Sequence, residues 1–142
     1  MNRPPARGRP ARDRGSVAVE FVLVLPVLLL ILFGIIDFGR ALNAQIVLTG
    51  AARDGVRLAA LGYSNAAVQA DVTAAAPDLS GVTATVVTSC PAGAGPTVDA
   101  QVDVTYTFTF ITPIGAVSSL IGGSGLGAPT VLTAQGVMPC ET

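Results

Sequence analysis

The side chains able to do acid–base or nucleophilic work are few in this 142-residue chain, and they are poorly placed to work together. There is no histidine, so neither a Ser–His nor a Cys–His pair can activate a nucleophile. Asp99 and Asp103 fall on one side of a period-two stretch, roughly 13 Å apart at strand rise. That is too wide for a retaining carboxylate pair, and they read as the wet face of a strand. Gly123-Ser124-Gly125-Leu126-Gly127-Ala128 fits the letter of G-x-G-x-x-A, but a dinucleotide fingerprint must follow a strand and open a helix. Here Pro129 and a strand come next, which makes the stretch a loop. Cys90 and Cys140 have no neighbour at ligand spacing, which excludes a structural zinc site. No catalytic, cofactor or metal residue is expected, and no small-molecule substrate.

One acid stands out by position. Glu20 precedes the sixteen uncharged residues Phe21–Ile36. A carboxylate at the bilayer centre costs on the order of 2.5–3.5 kcal/mol on insertion scales, and less at the interface. Ser16 lies one helical turn before it, about 6 Å along the axis. Ser16 is a good N-cap, and a carboxylate in the first turns favours the positive end of the helix dipole.

These residues need an element to hold them, and composition says which. Charged residues make up 12% and hydrophobic ones 51%; the charged share is about half the usual ~25%, which fits a chain lying partly in lipid. Charge is also divided. Up to Gly15 there are five arginines against Asp13, net +4, and from Ser16 onward three against eight acids, net −5. The basic arm therefore stays cytoplasmic and the body lies outside. Proline-rich, without aromatics and followed at once by an apolar run, the arm does not read as a nucleic-acid patch. Residues 1–15 form the leader and 16–38 a single transmembrane helix bent at Pro26, at the short end of what a span needs.

The helix is expected to continue to Leu61, with Gly62 at its C-cap. Beyond Asp37 it is amphipathic: Asn43, Gly50, Asp54 and Arg57 share a stripe, and Leu42, Ile46, Leu48, Ala52, Val56 and Ala59 spread over the opposite half, where Arg53 intrudes. Ser64–Ala76 reads as a second helix closed by Pro77. The period then changes to two. Val82–Thr88, Val98–Phe110 and Thr130–Met138 are strands, and the middle one alternates without a break over its whole length. A Gly/Ser/Pro-rich connection with one helical turn at Ile114–Leu120 joins the last two. The fold class is α+β: a long N-terminal helix, membrane-spanning in its first half, packed through its second half on a small three-stranded antiparallel sheet. Residues 39–142 form the extracytoplasmic domain. Cys90 and Cys140 each follow a strand whose ends share one side of a meander, and both lie in the outer part where disulfides persist. A bridge between them would be worth about 4 kcal/mol in the chain-entropy model; two free thiols are the alternative.

Gly15-Ser16-Val17-Ala18-Val19-Glu20-Phe21 resembles the processing site of type IV prepilins, in which a peptidase cuts after the glycine and a glutamate stands fifth in the mature chain. The wider stretch Glu20-Phe21-Val22-Leu23-Val24-Leu25-Pro26, with Gly34-Ile35-Ile36-Asp37-Phe38-Gly39-Arg40, is similar to the TadE-like proteins, minor pilins or pseudopilins of the tight-adherence (Flp) pilus system. Phe21 stands where the main Flp pilins have tyrosine, and those pilins are shorter and lack a folded body. TadG-like relatives carry a large extra domain that has no room here.

The resemblance implies a pilin-like, membrane-anchored minor pilin or pilus-assembly protein, cut between Gly15 and Ser16, with Glu20 and Phe21 read by the peptidase or used in assembly. Its partners would be the membrane, the prepilin peptidase, the major Flp pilin and other minor pilins, with no nucleic acid. Residue chemistry agrees with this reading. Cutting frees an α-amine at Ser16, and Glu20 of one subunit can neutralise the amine of its neighbour. The alternative for Glu20 is that it caps its own helix or snorkels to headgroups. Asp37 and Arg40, spaced i, i+3, read as a solvated interfacial pair. The rival for the whole chain is a single-span anchored, or secreted, extracytoplasmic binding module.

Overall fold

The computed structural model describes residues 12–120, 122–123 and 125–141, and of residues 12–14 the backbone alone. Most of the expected leader, residues 1–11, lies outside the described residues. In chain order the elements are α1 (Arg12–Ala60), α2 (Asn65–Ala75), β1 (Thr83–Thr88), a 3-10 turn (Gly95–Thr97), β2 (Asp99–Phe108), α3 (Ile114–Leu120) and β3 (Thr130–Pro139). The strands form one antiparallel sheet in the order β1-β2-β3. The α+β class and the helix-on-sheet arrangement expected from the sequence are what the chain adopts.

Helix α1 runs through 49 residues with Pro26 inside it, a rod of roughly 70 Å. It begins before Ser16, which corrects the expectation that Ser16 is its N-cap. Nothing in Arg12-Asp13-Arg14 breaks a helix, and the ~1 kcal/mol propensity penalty of a single glycine at Gly15 does not stop one. At its other end Gly62 takes φ 78°. The Gly62 amide donates to Ala59 O and the Tyr63 amide to Leu58 O, each at 3.1 Å, the two bonds of a Schellman motif. Ser64 then caps α2, its Oγ accepting from the Ala67 amide at 3.4 Å.

The core lies between the second half of α1, α2 and the inner face of the sheet. β2 sends Ala100, Val102, Val104 and Phe108 inward, α1 supplies Leu48, Ala51, Ala52, Val56 and Ala59, and α2 supplies Val68 and Val72. The packed stripe of α1 is not quite the expected one. Leu42 and Ile46 are 50% and 71% exposed, whereas Ala44 and Ala51 are buried. Around Ala52 and Gly55 the helix lies too close to its partners for larger side chains. A Cβ added at Gly55 would stand 2.5 Å from Val72 Cγ2, and one at Gly136 of β3 would meet the Ala52 carbonyl oxygen and Val56 Cγ1. Small residues take the seam, and the two larger ones are turned outward beside Arg53, which is exposed as well.

Strand direction decides what lies at each end. Near the end of α1, the Glu141 amide donates to Ala60 O at 3.2 Å and the Cys140 amide to Val98 O at 2.8 Å. Cys90 and Cys140 are disulfide-bonded there, with Cα atoms 5.7 Å apart. At the other end of β2, the Arg40 guanidinium lies 5.2 Å over the Phe108 ring and donates to Thr109 O at 3.3 Å. The sheet thus lies along the Arg40–Ala60 part of α1. The β2–β3 connection with α3 hangs at the end nearer the apolar half.

Candidate functional site

The apolar half of α1 touches little of its own chain. From Gly15 to Leu25 every residue is exposed, Phe21 by 63%. Gly15, Ser16, Glu20 and Phe21 occupy the first turns of this bare rod, with Ser16 and Glu20 one turn apart on the same face. Among the described residues no hydrogen bond or ion pair involves Glu20. The structure keeps these four residues together on one helix, and no hydrogen bond or ion pair among the described residues joins Glu20 to another element.

The outer end of the apolar run is different, and here a group of residues was misread. Asp37 is 1% exposed. Its carboxylate accepts from the Ile111 amide at 3.2 Å, the Thr112 amide at 3.4 Å and the Thr112 hydroxyl. Arg40 adds a bond from Nη1 at 3.3 Å. A pair expected to be solvated is instead a clamp that ties the start of the β2–β3 connection to the helix. Arg40 extends the clamp through Thr109 O and the Phe108 ring. The i, i+3 spacing held no sign of this, because the partners come from more than seventy residues away. The only local hint was an acid set at the edge of a long uncharged run.

Beside the clamp an open groove of about 440 Å³ is lined by Ile36, Gly39, Arg40, Asn43, Ala44, Asp78, Leu79, Tyr106 and Phe108. Its two charged groups are Asp78 and Arg40. Asp103 lies on the outer face of the sheet and accepts from Gln135 Nε2 at 3.0 Å. What the described residues present at the N-terminal end is a bare apolar helix with one carboxylate near its start, continuous with the part of α1 that packs on the domain.

The model of the TadE-like protein family matches residues 15–57. Residues 15–57 are a TadE-like segment. The segment begins at Gly15, contains Glu20 and the clamp residues Asp37 and Arg40, and ends in the packed half of α1. No curated protein and no solved structure matches the chain. α1 is the one described helix long and apolar enough to cross a membrane. A TadE-like segment on such a helix is consistent with a membrane protein associated with a Tad pilus. TadE-like proteins are pilus components, and they are not known as enzymes.

Proposed function

We propose that this chain is a minor pilin or pilus-assembly subunit of a tight-adherence (Flp) system, made as a precursor and cut by a prepilin peptidase between Gly15 and Ser16. In this reading α1 crosses the membrane with the arginine-rich arm inside and the disulfide-bonded domain outside. Its partners are the peptidase, the major pilin and other minor pilins. The observation that carries it is the state of Glu20, a carboxylate with no hydrogen bond or ion pair among the described residues, at the start of a helix whose first half is bare. A charge held at the edge of lipid is tolerated when it meets an opposite charge. Cutting after Gly15 creates that charge one turn away, and a neighbouring subunit brings it within reach. The glycine also lowers helix propensity at the bond to be cut.

The test has two parts. The mass of the chain extracted from membranes of cells with an active prepilin peptidase should correspond to a start at Ser16. With Glu20→Ala the start should stay at Ser16 while the amount recovered in sheared pili falls several-fold. An intact leader in those cells would sink the reading. Unchanged piliation by the Glu20→Ala chain would remove the pairing mechanism and leave the processing.

A further inference from the structure

We infer that the β2–β3 connection is a second membrane contact, an uncharged foot resting in the outer lipid leaflet beside α1; this rests on α1 spanning the membrane. Three observations meet at this place. First, residues 104–140, which take in the whole connection with the end of β2 and all of β3, contain no Asp, Glu, Lys, Arg or His. Second, the connection exposes large apolar side chains, Ile111 by 65%, Leu120 by 78% and Leu126 by 51%. Scattered single exposures are ordinary, but these three belong to one connection at one end of the sheet. Third, the clamp fixes its height. Val17–Ile36 is twenty residues, about 30 Å of helix and the thickness of a hydrocarbon core, so Asp37 stands at the outer boundary and holds Ile111 and Thr112 there.

The foot also reaches below that level. Between Val17 and Ile36 the residues that are not fully exposed are Pro26, Leu29, Leu30, Phe33 and Gly34. All five fall on the side of the helix that carries Asp37. The sheet ends at Arg40, and beyond it α3 of the connection packs against α1 and buries Ile114 and Ser118. Close backbone packing makes the foot compact, since a Cβ on Gly115 would stand 2.7 Å from Leu126 O. Polar backbone at membrane depth is tolerated where it is buried in protein, and the outward residues of α3, Ala116, Ser119 and Leu120, carry no charge.

The chain has no tryptophan, so a single introduced one reports its own surroundings. The full-length chain would be reconstituted in phosphatidylcholine nanodiscs carrying Leu120→Trp, or Leu28→Trp in α1, or Val137→Trp on the outer side of β3 at the end away from the foot. Each is measured with ordinary and with brominated lipid, and Leu126→Trp replaces Leu120→Trp should the latter fail to form its disulfide. The expected result is blue-shifted emission and bromine quenching for Leu120→Trp comparable to Leu28→Trp, with Val137→Trp unshifted and unquenched. Quenching at position 28 alone overturns the foot and leaves the spanning helix standing. A blue shift at position 120 without quenching assigns the patch to a second protein chain and also overturns it. No quenching at either position overturns the span and the foot together.

Discussion

Asp37 and Glu20 show how two acids on one helix part company once the chain folds. Both border the same uncharged run, but Glu20 faces outward with no partner among the described residues, whereas Asp37 is surrounded by donors from the β2–β3 connection. An acceptor engaged by several donors cannot be removed without leaving buried N–H groups unpaired, and that asymmetry is what makes such a residue sensitive. Asp37→Ala should therefore free residues 109–129 while the rest of the sheet keeps its pairing. Hydrogen exchange followed by mass spectrometry on the detergent-solubilised chain checks this. Amides of the 109–129 peptide should exchange roughly tenfold faster, the equivalent of one lost hydrogen bond, with those of β1 unchanged. Asp37→Asn, which keeps one acceptor oxygen, should fall between. Equal exchange in all three chains would show that the carboxylate holds nothing.

At the scale of elements, the seam between α1 and the sheet is made by small residues, and its tolerance is correspondingly low. In Gly136→Ala the new methyl group would meet the Ala52 carbonyl oxygen and stand 2.9 Å from Val56 Cγ1. Backbone cannot swing aside as a flexible side chain does, so helix and strand must separate. Overpacking of this kind costs about 1–3 kcal/mol, more than the few tenths to ~1 kcal/mol that alanine gains over glycine in a strand. A lower urea midpoint for Gly136→Ala is the expected outcome, and an unchanged one would mean the seam is looser than it looks. The same seam explains what could be read in advance. The alternation of β2 and the apolar side of β3 were legible because a half-buried strand writes period two directly into the sequence. The existence of α1, α2 and α3 was legible from periodicity and from breakers such as Pro77. The packed face of α1 was not, because hydropathy ranks Leu42 and Ile46 above Ala44, Ala51 and Gly55, and only the close approach of the sheet reverses that order. The clamp was invisible for a related reason: its donors are backbone groups and a threonine that no local pattern connects to Asp37.

For the molecule as a whole, the sheet is fastened to α1 at two ends by different chemistry. Near Asp37 the tie is made of hydrogen bonds and a cation–π contact. Near Ala60 it is the Glu141 amide, which donates to Ala60 O, next to the Cys90–Cys140 disulfide that joins the ends following β1 and β3 to each other. The covalent tie closes a loop with a sequence separation of 50, and in the chain-entropy model it contributes about 4 kcal/mol. That is a large part of the 5–15 kcal/mol typical of a whole domain. β1, the edge strand that leads to Cys90, pairs with β2 on one side only and otherwise packs on α2, so the loss should be felt there first. The double substitution Cys90→Ser with Cys140→Ser, or reduction of the native chain, should lower the urea midpoint by roughly 2–3 M. The transition should stay cooperative, because the clamp at the other end does not depend on the bridge. Exchange should quicken in β1 before it quickens in the 109–129 connection. Were both ends to loosen together, the two fastenings would have to be energetically one; were the midpoint unmoved, the seam of small residues alone would hold the domain to its helix.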